Sequence, residues 1–249
     1  MTACVVPLLL LVSGCATPST PPEVAAEVVA EVVADAIPAV VLLGDSIAEE
    51  AAPFLDDLLG DTRVLAQFYG GTAPCDWLGR DVHATRGRVV VVTFTGNSLT
   101  PCMTDDAGEF LRGQALVDKY RADLTALVND LRATGAEVVL VGQPRRGPAA
   151  GGGGKGDVEV EGINAIYADL AASDDVTFVD AGASLEAPDG EFALALPCLP
   201  GEAECGTTGL NAVRSNDGVH LCPGTAPTPC PVYSSGAYRF ADAIAAALR

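Results

Sequence analysis

The chain has 249 residues, of which 49% are hydrophobic and 19% are charged. This length and composition allow one α/β domain with a full hydrophobic core, and they exclude an intrinsically disordered protein. The 33 acidic residues outnumber the 14 basic ones, which gives a formal net charge of −19. Such a surface repels phosphate backbones, so we expect no nucleic-acid partner.

The first fifteen residues are typical of a bacterial lipoprotein signal. Val5 to Val12 form an apolar run that is too short to cross a bilayer, and Val12-Ser13-Gly14-Cys15 resembles a lipobox. We therefore predict a signal peptide over residues 1–14 and a lipid on Cys15 that anchors the exported protein to the outer face of a bacterial cell membrane. An ordinary secretory signal is the alternative, and the segment before the apolar run lacks Lys and Arg.

Residues 15–38 are predicted to be a tether or linker. A Thr/Pro/Ser segment is followed by acids at every fourth position, which would lie on one face of a helix: Glu23, Glu27, Glu31 and Asp35. A helix of this kind should end before Pro38. From residue 39 to residue 249 we predict one domain.

Strand and helix patterns alternate through this predicted domain. Aliphatic runs predict strands at 39–43, 63–67, 88–94, 137–141 and 176–179. Helical patterns occur at 49–59, 108–133, 162–172 and 235–248. Strands without polar alternation are buried on both faces, so the order predicts a three-layer α/β/α sandwich with a parallel, flavodoxin-like sheet. Residues 181–216 lack periodicity and are predicted to be a long loop.

Gly44-Asp45-Ser46-Ile47 lies between the first predicted strand and the first predicted helix. This position would present the Ser46 hydroxyl at the carboxyl end of the sheet, beside helix N–H groups that favour developing negative charge. The placement suits a nucleophile. Aspartate and serine are also ordinary helix caps, so the tripeptide alone does not separate the two roles.

Asp217-Gly218-Val219-His220 supplies the partners that a serine nucleophile requires. Such a serine needs a base to take its proton and an acceptor that orients the base. Of the two histidines, His83 and His220, only His220 follows an acid at this three-residue spacing. A local Asx-turn is the alternative role for Asp217.

Four separated segments resemble the four blocks of the SGNH (GDSL-like) hydrolases and occur in that family's order: GDSI, Gly71 in YGGTAPC, Asn97 in FTGNSL, and DGVH. The resemblance implies that Ser46 attacks an ester, that His220 relays the proton and that Asp217 orients His220. It also implies an oxyanion hole formed by the Ser46 N–H, the Gly71 N–H and the Asn97 side-chain amide.

The second and third blocks depart from the family pattern. The usual third block is GxND, whereas here Gly96 directly precedes Asn97 and Ser98 replaces the acid. In the second block, either Gly70 or Gly71 could donate the N–H.

The resemblance implies a serine esterase of carboxylic esters, acyl or acetyl, that uses neither a metal nor a cofactor. Its expected substrates are small-molecule, glycan or lipid esters at the cell envelope. An acyltransferase in which a sugar hydroxyl replaces water is an alternative, as is a non-catalytic envelope-binding module on the same fold.

Six cysteines remain if Cys4 is removed with the signal and Cys15 is lipidated. An even count in an exported chain indicates disulfides, and the spacing does not match a zinc site. Six cysteines allow fifteen pairings. Close spacing favours Cys198 with Cys205 and Cys222 with Cys230, which leaves Cys75 with Cys102.

Overall fold

The structure is a computed structural model, which describes residues 40–80, 88–151, 157–172, 175–223 and 230–249. The predicted signal peptide, the lipidation site at Cys15, the tether and His83 lie outside these residues. Every helix in the described ranges is too short or too polar to serve as a membrane span.

Five parallel strands form the central sheet: β1 Val40–Gly44, β2 Val64–Phe68, β3 Val89–Thr93, β4 Glu137–Val141 and β5 Val176–Val179. Their order is β2-β1-β3-β4-β5, with β1 paired to both β2 and β3. Gly44 at the end of β1 lies beside Phe68 on one side and Thr93 on the other. The carboxyl ends of three neighbouring strands therefore meet at one edge.

Within the described ranges, four α-helices cover the two faces of the sheet: α1 Ser46–Leu59, α2 Gly113–Ala133, α3 Val158–Leu170 and α4 Ser235–Leu248. One buried cluster joins α2 and α3 to the sheet and includes Val90 and Val92, whereas a second joins α1 and α4 to it and includes Val91. Alternate residues of β3 thus pack on opposite helical layers. The predicted α/β/α sandwich with a flavodoxin-like sheet is confirmed.

Three helices start at other residues than the sequence predicted, and local capping explains two of these differences. Helix α1 begins at Ser46 rather than residue 49, since the Asp45 side chain accepts the Ile47 N–H at 3.1 Å. Helix α3 begins at Val158 rather than residue 162, because the Asp157 side chain caps it. Helix α2 begins at residue 113, five residues later than the pattern predicted.

The segment 181–216 is more ordered than the long loop that was predicted. It contains a short antiparallel pair, β6 Ala195–Pro197 and β7 Leu210–Ala212. Arg239 of α4 donates to Glu202 at 2.6 Å, and both side chains are almost fully buried. Three-residue strands are too short to show a readable alternation, which explains why the pattern missed them.

Among the described residues, three disulfides form, and they match the predicted pairs: Cys75–Cys102, Cys198–Cys205 and Cys222–Cys230.

Candidate active site

Ser46 is the first residue of α1 and lies at the carboxyl edge of the sheet. Gly44 permits this placement, because a β-carbon there would come within 2.2 Å of the Thr93 carbonyl oxygen. Only glycine lets β1 pass this close to β3 at its end. The chain then turns into the helix, which places Ser46 in its first turn.

The structure brings Ser46, His220 and Asp217 together, although Ser46 and His220 are 174 positions apart. His220 Nε2 lies 2.9 Å from Ser46 Oγ, and His220 Nδ1 lies 2.7 Å from Asp217 Oδ2. An Nδ1–H that donates to Asp217 leaves Nε2 free to accept the serine proton. The geometry is therefore that of a nucleophile, a base and an orienting acid.

Asp217 both contacts the His220 ring and forms the Asx-turn that was its alternative predicted role. Its Oδ1 accepts the backbone N–H groups of Val219 at 2.8 Å and His220 at 3.0 Å. Burial acts to raise the pKa of Asp217, but these hydrogen bonds and the His220 ring lower it overall. The carboxylate therefore stays ionised near neutral pH.

Two glycines of the predicted oxyanion block form a turn beside Ser46. Thr72 N–H donates to the Tyr69 carbonyl at 3.2 Å, with Gly71 at a φ of +80°. A β-carbon on Gly70 would lie 3.8 Å from Ser46 Cβ, whereas one on Gly71 would meet nothing within 4 Å. Gly70 is thus next to the nucleophile, and the assignment of Gly71 as the donor stays a prediction.

Asn97 is half-buried at the end of the segment that follows β3, and its side chain is held by Asp45. Its Nδ2 donates to Asp45 Oδ2 at 2.8 Å and lies 3.3 Å from Thr95 Oγ1. Thr95 Oγ1 and Asp45 Oδ2 are themselves only 2.7 Å apart. One amide hydrogen can serve both acceptors, which leaves the second for a ligand.

Asp45 is fully buried and gathers donors from two of the blocks. Besides Asn97, it accepts the Thr95 N–H and the Thr95 hydroxyl, each at 2.7 Å, and the Ile47 N–H. Burial raises the pKa of Asp45, while the hydrogen bonds from Thr95 act to lower it. The sequence predicted no role for Asp45 beyond helix capping, although its place between Gly44 and Ser46 was a signal.

Two further buried charges near His220 were also missed. Glu50 of α1 is fully buried and accepts the Leu221 N–H at 2.6 Å. Arg214 donates to the carbonyls of Gly218 and Val219 at 3.2 and 2.6 Å. The available signal for Glu50 was its position one helical turn after Ser46, which puts both side chains on one face.

Two groups of potential metal-ligand side chains come together among the described residues. Glu50 lies with Cys222 and Cys230, and Asp76 lies with Cys75 and Cys102. Each pair of sulfurs forms a disulfide, so neither can bind a metal as thiolates.

The chain has the fold of the GDSL-like (SGNH) hydrolases. It resembles the solved structure of an acetyl xylan esterase with a TM-score of 0.55 and 18% identity, covering 84% of this chain and 100% of that one. It also resembles a GDSL-like lipase from Bacteroides thetaiotaomicron with a TM-score of 0.52 and 15% identity, covering 90% and 94%.

Residues 39–226 match the family described as "Protein of unknown function (DUF459)", and the chain belongs to this family. The matched range includes Ser46, Asn97, Asp217 and His220. A comparison with curated protein sequences found no match.

Proposed function

We propose that this protein is a serine esterase that hydrolyses carboxylic esters through an acyl-enzyme on Ser46. The observation that carries the proposal is the chain of contacts from Ser46 Oγ to His220 Nε2 at 2.9 Å and from His220 Nδ1 to Asp217 at 2.7 Å. A lone serine hydroxyl is a weak nucleophile, and a base within hydrogen-bond reach activates it.

In the proposed reaction, Ser46 Oγ attacks the ester carbonyl carbon as His220 Nε2 takes the hydroxyl proton. The tetrahedral intermediate collapses when the bond to the alcohol oxygen breaks, and the alcohol leaves with the proton from His220. A water molecule then gives a proton to Nε2 and attacks the acyl carbon. The carboxylic acid departs, and Ser46 regains its proton.

The negative oxygen of each intermediate requires hydrogen-bond donors that are already in place. We assign this role to the Ser46 N–H, the Gly71 N–H and the Asn97 amide. Removal of one such donor costs on the order of 3 kcal/mol of transition-state stabilisation. The Asp45 contact fixes the Asn97 amide in advance, which favours it as a donor.

We further propose that the enzyme works at the cell envelope, anchored by a lipid on Cys15, on acyl or acetyl esters of glycans or lipids. The apolar run with VSGC at residues 12–15 supports export. Three disulfides in the domain favour an oxidising compartment.

Turnover of p-nitrophenyl acetate tests the reaction. We expect Ser46→Ala and His220→Ala to lose at least about a thousandfold in kcat, and Asp217→Asn to lose as much or somewhat less. Ser184→Ala is the matched control, because that half-buried hydroxyl donates only to the Ala181 carbonyl. Near-normal turnover by folded Ser46→Ala would rule the mechanism out. An added sugar alcohol that captures most of the acyl group would instead identify a transferase.

A further inference from the structure

Glu50 is a buried carboxylate in the helix that carries Ser46. It lies one turn after the serine and is 0% exposed, which is rare for a glutamate. One carboxylate oxygen accepts the Leu221 N–H at 2.6 Å, whereas the other, Oε1, has no hydrogen-bond partner among the described residues. Burial of such a group costs stability, so a role other than packing is worth testing.

The Leu221 contact ties α1 to the turn that presents His220. Leu221 directly follows His220, and its N–H donates to the carboxylate of Glu50 in α1. Arg214 holds the same turn through the Gly218 and Val219 carbonyls. The Cys222–Cys230 disulfide lies within 4.8 Å of the carboxylate. Glu50 and Arg214 therefore both bind backbone groups of this turn.

The charges around Glu50 belong to the proposed catalytic groups and their support. Burial raises the pKa of Glu50 to about 7; the Leu221 N–H and the charge of His220 act to lower it, while Asp217 acts to raise it. Arg214 also interacts electrostatically with Glu50. Helix α4, which packs on α1, contributes apolar side chains such as Ala237 and Ala241 to the shared core.

A negative charge at Glu50 favours a positive charge on the nearby imidazole. His220 becomes an imidazolium when it takes the Ser46 proton, and charges that are fixed in advance stabilise a transition state at no reorganisation cost. Glu50 touches neither the reacting atoms nor Ser46 Oγ, so any effect must pass through His220.

We infer that Glu50 is a positioning residue for the proposed reaction: it holds the His220 turn against the nucleophile helix and, when ionised, stabilises the imidazolium. The inference rests on the proposed function. A purely structural role for Glu50 would lower kcat by a factor that does not change with pH. An electrostatic role requires the decrease in kcat to become larger as pH rises and Glu50 loses its proton.

The test compares kcat of wild type and Glu50→Gln on p-nitrophenyl acetate from pH 5.5 to pH 9. Glutamine keeps an acceptor for the Leu221 N–H and removes the charge, with an NH₂ group in place of Oε1. We expect the ratio of wild-type to variant kcat to be near one below pH 6 and to reach about tenfold above pH 8, with KM nearly unchanged. Glu49→Gln is the matched control, because Glu49 is adjacent but half-exposed, and its ratio should stay near one.

A ratio that does not vary with pH would overturn the inference. The dependence of wild-type log kcat on pH gives a second measurement that needs no variant. Two ionisations should be required to fit this pH profile, and a profile that one ionisation fits would also overturn the inference. The two proposals fail differently. Absence of Ser46-dependent turnover in wild type removes the proposed function, whereas Ser46-dependent turnover with a flat Glu50→Gln ratio removes only the role of Glu50.

Discussion

The Asp45 carboxylate accepts a hydrogen bond from the Asn97 side-chain amide at 2.8 Å, so the residue before the proposed nucleophile holds a proposed oxyanion donor. The two residues are 52 positions apart and come from the ends of β1 and β3. The first and third sequence blocks are thus one hydrogen-bonded unit, centred on a buried carboxylate that also accepts from Thr95.

Asp45→Asn should therefore impair catalysis without touching the proposed triad. An asparagine there offers one acceptor oxygen and turns an NH₂ group toward donors, which displaces the Asn97 amide. A displacement of about 1 Å can cost on the order of a hundredfold in rate, so we expect kcat to fall about 10- to 100-fold with KM less changed.

Steady-state kinetics measure kcat and KM of Asp45→Asn. Thermal unfolding establishes that the variant folds. Asp57→Asn is the control, because Asp57 is an exposed acid of the same helix. A folded Asp45→Asn protein with wild-type kcat would show that Asn97 needs no such support.

Much of the fold could be predicted because the buried strands are continuous aliphatic runs. The bounds predicted for β4 and β5, 137–141 and 176–179, agree with the structure to the residue. The β6–β7 pair could not be predicted, since three residues per strand give no pattern. The start of α3 was missed because Asp157 follows a glycine-rich stretch, which hides its role as a cap.

The candidate site divides in the same way. Ser46, Asp217 and His220 could be named from short local motifs. Helical spacing from Ser46 was a signal for Glu50, but its burial could not be predicted, because Glu49 and Glu50 are the same residue type side by side and only the packed structure buries the second. Its partner Leu221 is 171 positions away. Local sequence indicates which groups can react, whereas tertiary contacts determine which groups support them.

Lipid attachment at Cys15 is a separate prediction. The short apolar run and the VSGC sequence lead us to expect that a palmitate analogue, supplied to cells that produce the protein, labels wild type. The Cys15→Ala variant should carry no label, while Cys4→Ala should remain labelled if the apolar run still directs export. Label that persists in Cys15→Ala would show the lipobox interpretation to be wrong.

The Cys75–Cys102 disulfide joins the loops that carry two proposed oxyanion donors. Cys75 follows Gly71 by four residues, and Cys102 follows Asn97 by five. Closing this 27-residue separation should stabilise the fold by roughly 3 to 4 kcal/mol in the chain-entropy model. We expect the Cys75→Ala/Cys102→Ala variant, assayed well below its melting temperature, to show a larger fold decrease in kcat than fold increase in KM, because its oxyanion donors are less preorganised.

The Cys198→Ala/Cys205→Ala variant is the matched control for this experiment. It removes a disulfide from the β6–β7 region, which carries no proposed donor, so its cost should appear in stability and not in kcat. Equal kcat in both double variants and wild type would leave Cys75–Cys102 a purely structural bond.

Glu50 should make the stability of the fold depend on pH in a direction set by its raised pKa. Its pKa is about 7 in the folded protein, against an ordinary value of 4.5. The folded state therefore holds this proton more tightly than the unfolded state does. The stability that the protonated form contributes is fully present below pH 4.5 and is lost as pH rises through 7.

Glu50→Gln has no such ionisation, so the variant should gain stability relative to wild type as pH rises. Between pH 4 and pH 8 the difference in free energy of unfolding should shift in its favour by roughly 3 kcal/mol, the equivalent of the pKa difference. Urea unfolding at several pH values measures this shift, with Glu49→Gln as the variant whose difference stays constant. Identical pH dependence in Glu50→Gln and wild type would mean that Glu50 does not titrate in this range. A variant that is more stable at pH 8 yet slower there would show that the buried charge is kept for catalysis at the expense of stability.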